Sequence, residues 1–244
     1  MRSLYPVIML ILLFSCTSDK QNITKFEESP WTASWISAVN YSGQYDSTTE
    51  APFFRKEFEV THSIKSAWAK VTGVGYFEFY LNGSKVGDHV LDPVFTRYDK
   101  RIKFLVFDVK NLLISGRNVA GSILGNGFYN VDTESAWDFD TAPWRGSPAF
   151  LCEIEIEYDN GKKMIIKSDE SWKFTTGPII FDQIRNGETY DARKNLKGWC
   201  KPGYDDSDWD PVILDQGPKG ILSRQVMPPI RKVRTIHPVS INEP

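Results

Sequence analysis

The amino-acid sequence predicts an all-β chain folded as an antiparallel β-sandwich, and three observations carry that prediction. Short segments alternate apolar and polar residues with a period of two, as strands with one buried face require. Turn residues punctuate these segments at close intervals, and no helical periodicity extends beyond a few turns. The hairpin signals are specific. Phe77, Phe79 and Leu81 alternate with Glu78 and Tyr80 and run into Asn82-Gly83, whose residue types accept the positive φ angles of a two-residue turn. Asp159-Asn160-Gly161 marks a second hairpin in the same way.

Taken in order, the chain opens with Arg2 and an apolar run over 4–14. That run is shorter than the roughly 20 residues needed to cross a bilayer, so residues 1–16 read as a signal peptide. Leu13-Phe14-Ser15-Cys16 resembles a bacterial lipobox, which implies lipidation at Cys16 and an exported protein held on a bacterial membrane by its lipid anchor. Whether that is the cell surface or a periplasmic face stays open. Residues 17–30 are polar and charged and are expected to be a tether. Order is expected from Trp31, with a first strand over 31–36 and a surface loop over 41–50. Strands are expected over 53–60, 66–73, 76–82, 102–109, 118–126, 149–158 and 162–167, with 86–91 as the return strand of the first hairpin. In the 149–158 strand, Cys152, Ile154, Ile156 and Tyr158 share one parity and should be packed; Leu151, Glu153, Glu155 and Glu157 share the other and should be mostly solvated. Gly203-Tyr204-Asp205-Asp206-Ser207-Asp208-Trp209 is similar to a turn found in galactose-binding-like sandwiches; its acids and serine suit backbone N–H groups of a tight turn, and Trp209 suits a core plug. Residues 231–244 start a further alternating strand with no partner left in the sequence, read as the start of a following β-domain.

Length and charge narrow the function classes. The 244 residues suffice for one large β-domain. A net charge of −2 gives no electrostatic case for nucleic acid. The aromatic content of 14%, with eight tryptophans, fits a sandwich core and also the exposed rings that stack on sugar C–H faces. With Cys16 consumed by lipid, Cys152 and Cys200 remain, and an exported protein could pair them; the favoured reading is that Cys152, which alternates with apolar neighbours, is a small buried hydrophobe. No CxxC or histidine cluster suggests a thiolate metal site.

Several motifs then occur in a fixed order: Phe53-Phe54-Arg55-Lys56-Glu57-Phe58, Leu81-Asn82-Gly83 with Val86-Gly87-Asp88, Pro93 and Thr96 through Tyr98-Asp99-Lys100-Arg101, Leu124-Gly125-Asn126-Gly127-Phe128-Tyr129, Gly187-Glu188-Thr189-Tyr190-Asp191-Ala192-Arg193, and the closing Gln225-Val226-Met227-Pro228-Pro229-Ile230-Arg231. Together they closely resemble the N-terminal β-domain of bacterial α-L-rhamnosidases of glycoside hydrolase family 78. The resemblance covers nearly everything after Trp31. It implies a jelly-roll or galactose-binding-like sandwich over 31–230 and a partner domain, a C-terminal (α/α)6 barrel that carries the family's catalytic carboxylates and is absent from this chain. Turnover by this chain alone is accordingly not expected.

Two constellations could carry chemistry. Glu188, Asp191 and Arg193 read either as an acid and base for an inverting glycosidase or as an ion-pair loop with Arg193 bidentate on one carboxylate; the second is preferred, and no catalytic role is assigned. Asn126, Tyr129, Asn130, Trp137, Asp138, Asp140, Trp144 and Arg145 mix rings with hydrogen-bonding groups, as carbohydrate recognition requires. The same residues also suit a loop whose rings are hydrophobic caps docked on a neighbouring domain, and both readings stand. Some rhamnosidases carry a related calcium-dependent rhamnose-binding sandwich, so the resemblance admits calcium here, although no contiguous calcium loop is present. His62, His89 and His237 assemble into nothing by spacing. The functional expectation is a non-catalytic N-terminal region that positions or binds rhamnose-containing glycans. The alternative is a stand-alone surface carbohydrate-binding lipoprotein.

Overall fold

The computed structural model describes residues 23–38, 50–131, 133–134 and 137–240. The expected signal peptide, the expected lipidation at Cys16 and most of the 41–50 loop therefore lie outside the described residues. Two sheets face each other. The first runs, in spatial order, β15 (Ile213–Asp215), β1 (Trp35–Ser37), β9 (Ala149–Tyr158), β3 (Ile64–Val74), β7 (Arg101–Asp108) and β16 (Ile221–Arg224), with β10 (Lys163–Lys167) also paired to β9. The second runs β14 (Asp210–Pro211), β11 (Lys173–Thr176), β2 (Pro52–Val60), β8 (Gly116–Gly125), β4 (Tyr76–Leu81) and β5 (Ser84–Lys85). Two ribbons complete it, β12 (Ile179–Gln183) with β13 (Gly187–Tyr190), and β6 (His89–Val90) with β17 (Ile230–Arg231). Pairing is antiparallel throughout except for β16 on β7. The expected all-β sandwich is the fold.

The core between the sheets is built as the alternation predicts. Phe77, Phe79 and Leu81 from β4 meet Cys152, Ile154 and Ile156 from β9 and Ala67, Ala69 and Val71 from β3, all buried. Phe150 stands at its centre, with ring centroids 6.3 Å from Phe54, 6.3 Å from Phe79 and 5.7 Å from Trp172. Asn82 and Gly83 both take positive φ, 51° and 84°, so the hairpin turn forms as its residue types demand.

Four expectations need correction. The return strand over 86–91 does not form: β4 pairs with β5 only at Tyr80–Lys85 and Leu81–Ser84. Gly87, at φ 75°, then turns the chain away, and a Cβ there would come within 2.9 Å of the Phe107 ring. The chain from Ile230 is not wholly unpartnered, because Ile230 and Arg231 pair with Val90 and His89, the residues freed by that turn. The outer face of β9 is not mostly solvated, since Leu151 and Glu153 are buried. Leu151 belongs to a second core with Trp35, Val74, Tyr98, Ile102, Tyr129 and Ala149, packed under the 126–146 loop. Finally, defined structure begins before Trp31, with a short helix over 23–28 whose Phe26 is buried.

Buried charge ties these layers together. Lys70, on the outer face of β3 and wholly buried, lies 2.9 Å from Glu153 Oε2. Its ammonium sits over the rings of Phe26 and Trp31, 4.8 and 4.6 Å from their centroids, and donates to the Ser29 carbonyl and hydroxyl. Glu153 Oε1 in turn accepts from Thr32 N–H, the Thr32 hydroxyl and Ala33 N–H. On the other sheet the buried Arg55 pairs with Asp206 and Glu57 and lies 5.6 and 6.0 Å from the ring centroids of Tyr204 and Trp209. The 205–209 turn is thus structural: Asp205 accepts from Ser207 N–H at 3.0 Å, and Trp209 is buried against Trp199. Cys152 and Cys200 are buried, unpaired thiols.

Candidate functional site

The strand ends at Gly125 and the loop beyond it fold the way they do because two backbones meet there. A Cβ at Gly125 would stand 2.9 Å from the Asp182 carboxylate, and one at Gly127, φ 52°, would stand 2.9 Å from the Gly75 backbone. With no side chains in the way, Asn126 reaches β12. Its backbone N–H and side-chain amide donate to Asp182 at 2.7 and 2.8 Å, and its own oxygen accepts from Asn130 at 2.7 Å. Gln183 Nε2 adds a bond to the Asn130 carbonyl at 3.2 Å. Asn126 and Asn130 are buried and committed to this network.

The eight loop residues therefore do not form one surface. Tyr129, Trp144 and Arg145 also turn inward: Tyr129 and Trp144 pack on Tyr98 with ring centroids 4.8 and 5.4 Å away, and the Arg145 guanidinium donates to the Asp140 carbonyl. Asp138, at φ 51°, begins a 3-10 turn over Phe139–Thr141. Trp137 alone of the eight presents a large exposed ring, with 72% of its surface accessible. The Arg185 guanidinium lies 4.9 Å from its ring centroid. Arg185 belongs to the tight turn between β12 and β13 and was not legible as a site residue, because its contact spans two loops distant in sequence.

Glu188, Asp191 and Arg193 also separate. Arg193 does form a bidentate pair, with Nε and Nη2 at 2.9 and 2.8 Å from Asp191, and Asp191 also accepts from Arg193 N–H as the cap of Ala192–Lys194. This pair is local and solvent-facing, with the Arg193 side chain 90% exposed, so it holds its own turn rather than another element. Glu188 instead lines a cleft of about 230 Å³ with Asp182, Tyr76, Leu91 and Ile179. Burial pushes the Asp182 carboxyl up, the Asn126 hydrogen bonds oppose this, and the nearby Glu188 charge adds to the rise. A lone acid inside the apolar run Ile179-Ile180-Phe181-Asp182 is the signal that could have flagged it.

Histidine chemistry is similarly confined. His89 Nδ1 lies 2.8 Å from Asp92 Oδ2, a pair with three-residue spacing that the sequence reading passed over, and Arg231 Nε donates to Asp88 at 2.8 Å beside it. Among the described residues no three His, Cys, Asp or Glu side chains converge, and a guanidinium already occupies the Asp140 carbonyl. Among the described residues no helix is long and apolar enough to cross a membrane.

Comparison with known proteins places this geometry. The family model of the alpha-L-rhamnosidase N-terminal domain matches residues 62–234. An alpha-L-rhamnosidase of Formosa agariphila is 38% identical over 194 residues, covering 78% of this chain and 20% of that protein. Among solved structures, an alpha-L-rhamnosidase from Dictyoglumus thermophilum superposes with a TM-score of 0.75 at 37% identity, over 86% of this chain and 24% of that one. A Streptomyces avermitilis alpha-L-rhamnosidase, solved in complex with L-rhamnose, superposes with a TM-score of 0.70 at 32% identity, over 76% and 18% of the respective chains. The chain thus spans about a fifth to a quarter of the length of the relatives it matches. It belongs to the alpha-L-rhamnosidase N-terminal domain family.

Proposed function

We propose that this chain is the non-catalytic front region of an exported alpha-L-rhamnosidase-like protein, positioning or binding rhamnose-containing glycans for a C-terminal catalytic domain. The family match over residues 62–234, against relatives several times longer, carries the reading. Glycan contact is assigned to the Trp137 ring with Arg185 beside it. An exposed indole offers a flat surface to sugar C–H groups, and the guanidinium lying over its ring can donate to hydroxyls. Asn126 and Asn130 act behind it, holding the loop to Asp182. Lipidation at Cys16 would set the domain on a bacterial membrane.

Calorimetric titration of the full chain with L-rhamnose and a rhamnose-capped oligosaccharide tests the glycan contact. Saturable heat that is lost in Trp137→Ala supports it. Absence of heat from a folded sample removes independent binding and leaves positioning alone. Turnover of an aryl rhamnoside that disappears in Glu188→Gln would overturn the non-catalytic assignment. A fatty-acid label incorporated by the chain and not by Cys16→Ser tests the anchor.

A further inference from the structure

The ribbon of β6 and β17 is held by side chains that meet on one imidazole. Ile230 and Arg231 of β17 pair with Val90 and His89 of β6. His89 Nδ1 lies 2.8 Å from Asp92 Oδ2, and His89 Nε2 lies 3.3 Å from Arg231 Nη2. Arg231 Nε donates to Asp88 Oδ1 at 2.8 Å, and the same Asp88 oxygen stands 3.8 Å from His89 Nε2. The imidazole is mostly buried, with its centroid 5.6 Å from that of the Phe107 ring, and Asp92 beside it is buried. Lys85 is the remaining charged group that acts on Asp92, together with His89 and Arg231.

Donor and acceptor roles here admit one protonation state. A guanidinium only donates, so His89 Nε2 must accept from Arg231 through its lone pair, and Nδ1–H then donates to the Asp92 carboxylate. The docked ribbon therefore holds a neutral imidazole, and imidazole is the side chain whose charge ordinarily changes between about pH 5 and 8. A proton added at Nε2 removes the lone pair that Arg231 uses, sets two cations side by side, and gives His89 a donor within reach of Asp88. Asp88 stays charged in that window, because its pair with Arg231 holds the carboxyl below its usual range. The bond to Asp92 survives and becomes charge-assisted, so protonation acts on the ribbon and not on the core. We infer that His89 is a proton-sensitive latch: neutral, it holds Arg231 and the segment from Ile230 onward against β6; protonated, it takes Asp88 and releases that segment. Little opposes release, since β17 contributes two residues and the Arg231–Asp88 pair is half exposed or more on both sides. Release also uncovers Val90, which with Leu91 lines the cleft beside Asp182 and Glu188.

NMR of the full chain between about pH 5 and 8 tests this. Val90 and Ile230 stand opposite each other across the ribbon, so a methyl–methyl NOE between them reports docking. The NOE should be present at the alkaline end, and the ratio of docked to free ribbon should fall about tenfold as the His89 ring protonates, a size usual for two coupled sites. The core methyls of Leu81 and Ile154 should not change over the same range, which separates release of the ribbon from unfolding. His89→Gln keeps a donor for Asp92 and is neutral at every pH, and Arg231→Gln removes the cation that protonated His89 would repel. Both should hold a constant ratio, and Arg231, half exposed, is replaceable without disturbing the core. A ribbon undocked at the alkaline end, a ratio in the native chain that stays constant across the range, or a pH response that survives in His89→Gln would each overturn the inference.

Discussion

Replacing Lys70 with methionine should unlatch the N-terminal segment from the first sheet. The side chain is fully buried and its ammonium holds Glu153, also buried, at 2.9 Å, so removing it leaves a carboxylate out of water. Loss of one partner from a buried pair typically costs about 3–5 kcal/mol. Here Glu153 keeps its bonds from Thr32 and Ala33, which places the expected loss at the lower end, about 3 kcal/mol. Glu153→Leu should cost a similar amount, because Lys70 would retain only Ser29 and the two aromatic faces. The double variant replaces both charges with apolar groups and should cost about as much as one single variant rather than the sum of the two, giving a coupling energy of about 3 kcal/mol. Urea denaturation of the four proteins measures this directly, with hydrogen exchange at Thr32 and Ala33 reporting local release. Single variants that each lose under about 1 kcal/mol, or losses that simply add in the double variant, would refute the reasoning.

The same pair predicts a pH dependence. Burial would raise the Glu153 carboxyl, but hydrogen bonds from Lys70 and Thr32 outweigh it and hold the group below its ordinary value of 4.5. A carboxyl depressed in the folded state adds stability that is fully present above that ordinary value and is lost as pH falls through the lower folded value. The stability gap between the native chain and Glu153→Gln should therefore be constant near neutrality and narrow in acid, as urea midpoints across pH 3–7 would record. Phe150→Ala should cost about 3–5 kcal/mol in the same assay, because the ring is wholly buried among Phe54, Phe79 and Trp172. Cys152 and Cys200 should resist thiol reagents until the chain unfolds, since burial pushes both thiols up, Cys200 to about 12; peptide mapping after labelling with and without denaturant checks it.

Legibility in the sequence followed the range of the interactions. The Asn82-Gly83 turn, the alternating strands β4 and β9 and the Asp205–Trp209 turn were readable because neighbours within a few residues set their φ angles, periodicity and local hydrogen bonds. The ordered motifs, read together, were enough to indicate the family. The outer face of β9 was not readable. Its glutamates look solvated by alternation, yet Glu153 is buried because Lys70 and residues 29–33 cover it from far away in the chain. The candidate site divided for the same reason. Asn126 and Trp137 stand in one polar, aromatic loop and are indistinguishable by composition. Whether a side chain meets Asp182 or solvent depends on where β12 docks, a contact 56 residues away along the chain. The sequence by itself determined the family, the Asn82-Gly83 turn and most strands up to Lys167, consequences of local backbone preference and pattern; the tertiary structure alone decided which polar groups became buried fasteners and which were left facing water.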